Sequence, residues 1–345
     1  MFDSMRAVRL IMPRACCFYR GLLSAREQSV YDRVCEAIAV RETSVKLDGT
    51  YDFDLDRLVK ALRTDQVMLF FLDPEKPFEV LYNTRSVEMS WGYSMPMSQV
   101  DEWADRMDRR IRPLLPRSGT ELQREVFIHD RLQDLRLKAG VTEPETAMDW
   151  RDHSIVGPLL CGHTVCSGAS RLFSLLCNMS GVRCLYVSGT AQNNQGVTDH
   201  HAWNIVKLGN TYAHVDAFWD LLSRGETSAF HNYPYFNLSD ERISVDHTWD
   251  RASVPSCPVE RYSYFALGGA DCPTPEAFEA MARDAVWNGK RRLCVRLGFD
   301  ATQERLWEII QAAAGDYPKS LRFTLCLDEA QRVFDCTVLE DGEAQ

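Results

Sequence analysis

The sequence predicts an α+β fold in which a helix that begins at a cysteine packs against an antiparallel sheet. An apolar helical pattern follows Cys166, and two strand-like segments, 201–208 and 211–218, are joined by a short turn at 209–210. After residue 274, helical and strand patterns alternate, which is typical of a small α/β unit. These three observations place an antiparallel core between two other regions.

The helix that follows Cys166 has recognisable ends. We expect Thr164 to be its N-cap, because threonine side chains accept hydrogen bonds from first-turn amides. We expect Gly181 to end it in a left-handed conformation. Cys166 then lies in the first turn, where unpaired N–H groups and the helix dipole favour the thiolate, the form of cysteine that attacks carbonyl carbons.

The hairpin brings two polar side chains to one face. The Gly-Asn pair at 209–210 is a two-residue turn signal, and that turn length makes Trp203 face Asp216. His201 is the diagonal neighbour of Asp216 on this face, whereas His200 points to the opposite face. His201 is therefore the better base, and Asp216 is the carboxylate that orients it.

Two residues are candidates for contact with a substrate. Gly168 keeps the first helical turn slim, so that a substrate chain could approach Cys166, and Trp203 is the second candidate. An oxyanion would accept a hydrogen bond from the Cys166 amide and from one further donor. The sequence leaves His163, Trp203 and Asn204 open as that donor.

A metal site is not expected near the cysteine. Cys161, His163 and Cys166 lie close together, but their spacing is unlike that of zinc sites, and no C-x-x-C pair is present in the sequence. We expect neither a metal nor another cofactor.

The motifs resemble the transglutaminase-like superfamily of papain-related cysteine enzymes, in particular its bacterial members. The residues that carry the resemblance are Val165, Cys166, Gly168, Ser170, 201–205, 214–216 and 219–220, with further similarity at 128–130, 238–241 and 246–250. The resemblance implies a papain-like core in which Cys166 is the nucleophile, His201 its proton acceptor and Asp216 the residue that fixes the imidazole. Ala169 departs from the pattern, because many relatives have a bulky residue there.

The resemblance implies a cysteine-dependent enzyme acting on amide or peptide bonds through a thioester. Prokaryotic relatives favour a protease or amidase, and a transglutaminase uses the same triad. Two alternatives stay open: an N-acyltransferase that takes its acyl group from coenzyme A, and a binding module that has kept the fold and lost turnover. The expected substrate is a protein or peptide.

Composition excludes some partners. The chain has 345 residues and a net charge of −10, so no nucleic-acid surface is expected. No apolar segment reaches the roughly 18 residues that a membrane span needs. The twelve cysteines show no regular spacing, which favours a reducing cytoplasm over a disulfide framework.

We predict three regions: an N-terminal mixed α/β region at 1–116, a catalytic core at 117–250 and a C-terminal α/β module at 251–345. Ser24 and Thr120 each begin a capping box, and Thr274 caps a helix of the C-terminal module. Strands are predicted at 67–72, 261–266 and 291–297, and a hairpin at 321–339.

Overall fold

The computed structural model describes residues 11–49, 53–73, 76, 78–140, 150–223, 229–315 and 317–340. The chain forms two units, Met1–Tyr186 with Trp203–Lys207, and Val187–Ala202 with Leu208–Gln345. The predicted region boundaries stay predictions, and part of the linker before Cys166, 141–149, lies outside the described residues. Within the described ranges, no helix is long and apolar enough to cross a bilayer.

The first unit combines helices with a small antiparallel sheet of order β1-β3-β2, and α4 packs against α5. The capping boxes predicted at Ser24 and Thr120 are confirmed. The elements are α1 (Ala25–Ala39), β1 (Ser44–Asp48), α2 (Leu55–Asp65), β2 (Glu79–Asn83), β3 (Ser86–Ser90), α3 (Met97–Ile111), α4 (Glu121–Asp134), β4 (Lys138–Ala139), β5 (His163–Thr164) and α5 (Cys166–Met179).

The start of α5 differs from the prediction by one residue. Val165 is the N-cap, and no side chain caps the helix. Thr164 does not cap it because its buried hydroxyl is directed at the carbonyl oxygens of Asp152 and Val165. The prediction that Cys166 lies in the first turn is confirmed, and so is the left-handed stop at Gly181, with φ 75°.

A five-stranded sheet of order β10-β6-β7-β8-β9 follows, and the α+β class is confirmed. Gly209 and Asn210 alone separate β7 from β8, as predicted, and Gly209 has a φ of 57°. The elements are β6 (Cys184–Gln192), β7 (Thr198–Leu208), β8 (Thr211–Val215), α6 (Ala217–Ser223), β9 (Phe236–Leu238), α7 (Asp240–Ile243) and β10 (His247–Thr248).

The C-terminal residues form a sheet of order β11-β12-β14-β13 covered by helices. Phe278, Ile310 and Phe334 are buried in a hydrophobic core made by this part of the chain. The cap at Thr274 and the predicted hairpin are confirmed. The elements are α8 (Tyr264–Gly268), β11 (Asp271–Cys272), α9 (Pro275–Trp287), β12 (Arg292–Leu297), α10 (Gln303–Ala314), β13 (Leu321–Asp328) and β14 (Val333–Glu340).

Two predicted strands were wrong. Residues 67–72 form consecutive turns, in which the amides of Leu69 and Leu72 donate to carbonyls three residues earlier. The run is apolar because most of its side chains are buried, and burial alone does not distinguish a strand from turns. The second segment, 261–266, enters α8, because the Ser263 side chain accepts the amide of Ala266 and caps a helix.

Gly168 lies at a point where α5 and the loop before it approach each other closely. A Cβ added there would lie 2.1 Å from the carbonyl oxygen of Asp152 and 2.9 Å from that of Ser154. We expect Gly168→Ala to lower the free energy of unfolding by about 1–3 kcal/mol, measured by urea unfolding, because backbone must move. Gly21→Ala is the matched control, since nothing lies within 4 Å of its added Cβ. Equal effects in the two variants would contradict this packing argument.

Candidate active site

Cys166 belongs to the first unit, where it is the first residue of α5 and is partly exposed. First-turn amides have no intrahelical acceptor and carry the positive end of the helix dipole, which favours an anion at this position. Two polar pairs lie along the same stretch of chain: His153 Nδ1 with Ser167 Oγ at 2.9 Å, and His163 Nδ1 with Asp152 Oδ1. Burial lowers the pKa of His153, so this ring is neutral near pH 7.

The two predicted substrate contacts are packing residues in the structure. Gly168 is buried, and the chain that approaches it closely is the loop at Asp152. Trp203 is fully buried, with a relative exposure of 0%. Packing therefore accounts for both residue types, and contact of either with a substrate stays a prediction.

His201 and Asp216 meet in the second unit. Nε2 of His201 lies 2.6 Å from Oδ2 of Asp216, and both side chains are buried. His200 is exposed, and of the two adjacent histidines it is His201 that meets Asp216, as strand parity predicts; the role of His201 as the base stays a prediction. The other carboxylate oxygen, Oδ1, accepts the amides of Phe218 and Trp219 at the start of α6, each at 3.1 Å.

Asp216 is ionised by its partners in spite of its burial. Removal from water acts to raise the pKa of this carboxyl, which has an exposure of 0%. The charge and hydrogen bond of His201, followed by those of His247, outweigh burial and hold the pKa well below its usual range. The site therefore contains a fixed negative charge next to His201.

His247 is a member of this site that sequence reasoning missed. Its Nε2 lies 3.2 Å from Oδ2 of Asp216, and its Nδ1 is hydrogen-bonded to Oδ1 of Asp246. The ring is buried, with its centroid 5.3 Å from that of His201. The available signal was the Asp246-His247 pair inside a segment that resembles the same family, but spacing alone does not link it to Asp216.

The hydrogen-bonded chain continues beyond His247. Oδ2 of Asp246 accepts the Tyr235 hydroxyl at 2.9 Å and the Gln331 side-chain amide at 3.0 Å. Gln331 is buried and lies in the turn between β13 and β14. The network thus joins His201 to the C-terminal part of the chain through two carboxylates and one histidine.

Of the three open candidates for a second oxyanion donor, Asn204 is committed elsewhere. Its side-chain amide donates to the carbonyl oxygens of Ser170 at 3.0 Å and Leu185 at 3.1 Å, so it ties α5 to β6. It is also fully buried. His163 is held by Asp152. The structure therefore removes Asn204 from the set and gives no preference between the other two.

Two groups of side chains in the described ranges converge closely enough to hold a metal ion. One is His201, Asp216 and His247, and the other is His214, Asp240 and Cys257. Hydrogen bonds explain the second group: His214 Nε2 lies 2.9 Å from Oδ1 of Asp240, and Oδ2 accepts the Cys257 amide. Hydrogen bonds join the first group in the same way, so we assign neither group to a metal.

A cavity of about 360 Å³ lies beside the histidine network in the second unit. Its wall includes Trp219, whose ring centroid is 5.0 Å from that of His201, and Tyr235, which binds Asp246. The other lining residues are Asn193, Asn194, Gln195, Leu222, Ser223 and Asp328. Amide, aromatic and carboxyl groups therefore line this cavity.

Part of the chain is similar to a known protein family. Residues 120–217, which include Cys166, His201 and Asp216, match the model of the transglutaminase-like superfamily. No curated protein sequence matches the chain.

The solved structures that resemble the chain are distant from it. A crystal structure of a TGase is 11% identical, with 51% of this chain and 50% of that chain covered and a TM-score of 0.30. A candidate cysteine protease from Cytophaga hutchinsonii is 13% identical, with coverages of 51% and 66% and a TM-score of 0.27. A candidate protease from Parabacteroides distasonis is 10% identical, with coverages of 41% and 35% and a TM-score of 0.24. The match spans less than two thirds of each of these structures.

The ionisation of Asp216 predicts a response to acid. In the unfolded chain this carboxyl takes up a proton at about pH 4, whereas in the folded protein it does so only at lower pH. Its stabilising contribution is therefore present above about pH 4 and is lost as the pH falls toward the folded-state pKa. We expect the Tm of the wild type to fall more steeply below about pH 4 than that of Asp216→Asn, measured by thermal unfolding.

Asp199→Asn is the control for this prediction, because Asp199 is an exposed carboxylate on the same strand as His201. It should keep the acid slope of the wild type. An unchanged slope in Asp216→Asn would mean that Asp216 is not the ionised group described above.

Proposed function

Since residues 120–217 belong to the transglutaminase-like superfamily, we propose that the protein is a cysteine-dependent hydrolase of amide or peptide bonds. Cys166 is the nucleophile, His201 the general base and Asp216 the residue that orients His201. The observation that carries the proposal is the 2.6 Å hydrogen bond between His201 Nε2 and a fully buried, ionised Asp216. Such a pair is the base and orienting group of a catalytic triad.

The hydrogen bond decides which nitrogen of His201 acts as the base. With Nε2–H donated to Asp216, the lone pair is on Nδ1, and Nδ1 takes the proton from the Cys166 thiol. The sulfur then attacks the carbonyl carbon of the substrate and forms a tetrahedral oxyanion. His201 returns the proton to the departing amine nitrogen, the C–N bond breaks and a thioester on Cys166 is left.

Resolution of the thioester completes the cycle. Water gives a proton to Nδ1 of His201 and attacks the thioester carbonyl, and the C–S bond breaks to release a carboxylic acid and the thiol. A primary amine in place of water would give a new amide, which is the transglutaminase outcome. The same three residues serve either acceptor.

In this proposal, a backbone N–H group at the start of α5 stabilises the oxyanion. The Cys166 amide lies at the N-terminus of the helix, where it has no intrahelical acceptor. Asn204 is not the second donor, because its amide is used in packing α5 against β6.

We also propose a protein or peptide as the substrate. The cavity beside Trp219 supports this, because its amide and carboxyl groups can pair with a peptide backbone or a polar side chain. The cysteines stand as thiols, which supports a reducing compartment such as the cytoplasm. The net charge of −10 supports a partner other than nucleic acid.

Alkylation of Cys166 by iodoacetamide tests the proposal without a known substrate. We expect the rate to be half-maximal at a pH well below about 8.5, the value for an ordinary thiol, because a paired imidazolium stabilises the thiolate. His201→Ala should move this midpoint back toward the ordinary value. Peptide mass spectrometry reports each cysteine separately.

Other cysteines of the chain are internal controls for the same experiment. Cys326 is exposed and Cys336 is buried, so they show an accessible and an inaccessible thiol in the same sample. A Cys166 that reacts like Cys326 in both the wild type and His201→Ala would overturn the proposed function.

A further inference from the structure

His247 occupies an unusual position for a buried histidine. Both of its ring nitrogens meet carboxylates: Nε2 meets Oδ2 of Asp216, and Nδ1 meets Oδ1 of Asp246. A carboxylate oxygen can only accept, so a ring that donates to both must carry a proton on each nitrogen. Asp246 also accepts from Tyr235 and Gln331 through Oδ2, so both oxygens of this carboxylate are held by hydrogen bonds.

We propose that His247 is a positioning residue: as an imidazolium between Asp216 and Asp246, it holds Asp216 in place for His201. This inference rests on the proposed function, since it assigns His247 a role in the same site. His247 does not act on the substrate. It acts through Asp216.

The charges of the network balance in the state that the proposed mechanism needs. Asp216 and Asp246 contribute two negative charges, and His247 contributes one positive charge. When His201 is protonated, the two imidazoliums balance the two carboxylates, and the thiolate of Cys166 is one further negative charge that this sum does not include. A buried ion is costly unless it is paired, so the cation at His247 prevents an unpaired carboxylate on either side of it.

The surroundings of His247 have opposite effects on the pKa of its ring. Burial acts to lower the pKa of the ring, but the hydrogen bonds and charges of Asp216 and Asp246 outweigh burial and raise it. Trp219 packs on the ring, with centroids 4.6 Å apart. The titratable or charged groups that face His247 from the surrounding elements are His201, His214, Asp216, Tyr235, Asp246 and, through Tyr235 and Asp246, Asp328.

The C-terminal module takes part through Gln331. This residue is buried in the β13–β14 turn and donates to the outer oxygen of Asp246. Removing that donor loosens the hold on Asp246, the carboxylate that pairs with Nδ1 of His247. The module therefore has a chemical connection to the site in addition to its own core.

His214 is a second buried histidine of the same unit, and we assign it a structural role only. It is as buried as His247 and also pairs with a carboxylate, Asp240. Here burial dominates and lowers the pKa of the ring despite that partner. His214→Gln is therefore a matched control for His247→Gln: the substitution, the burial and the unit are the same.

The test is the pH dependence of Cys166 alkylation in the wild type and in both variants. We expect His247→Gln to raise the midpoint by about one pH unit, because an Asp216 that is no longer held by His247 orients His201 less well and so weakens the thiolate and imidazolium pair. His214→Gln should leave the midpoint unchanged even where it lowers the Tm. Gln331→Leu, which removes a donor and keeps the volume, should give a smaller shift in the same direction.

Nitrogen NMR of the histidine rings in the wild type gives an independent readout that does not depend on whether a variant folds. His247 should be protonated on both nitrogens at pH 7. A neutral His247, or a midpoint in His247→Gln equal to that of the wild type, overturns this inference and leaves the proposed function intact. An ordinary midpoint at Cys166 in the wild type overturns the proposed function and the role of His247 together.

Discussion

The buried carboxylate of Asp216 is the constraint around which the second unit is arranged. It is removed from water, yet it receives four hydrogen-bond donors: His201, His247 and the amides of Phe218 and Trp219. A charge in this position is stable only when every donor is in place. Three separate segments must therefore meet at Asp216: strand β7, the start of α6 and the short strand β10.

Each of these segments is positioned by local rules. The Gly209-Asn210 turn fixes the parity of β7 and β8, so that His201 and not His200 reaches Asp216. Helix α6 begins directly after Asp216, which brings two of its amides within reach of Oδ1. Pairing of His247 with Ala191 fixes β10 at the edge of the sheet. The charge is thus held by backbone geometry as well as by side chains.

The features of the fold and the site that depend on local sequence patterns could be predicted from the sequence. Strand parity predicted that His201, and not His200, lies on the same face as Asp216. The helical pattern placed Cys166 in a first turn. His247 could not be predicted, because it lies 31 residues from Asp216 in a two-residue strand. Thr164 was misassigned because a buried hydroxyl found acceptors in the loop at Asp152, which is a tertiary contact.

The proposed function depends on one chemical step, in which Cys166 forms a thioester with the help of His201. A direct measurement is to mix the protein with p-nitrophenyl acetate, quench with acid and locate the acetyl group by peptide mass spectrometry. We expect acetylation of Cys166 ahead of the other cysteines, and its loss in His201→Ala. Acetylation spread over exposed thiols such as Cys326, or unchanged in His201→Ala, would contradict it.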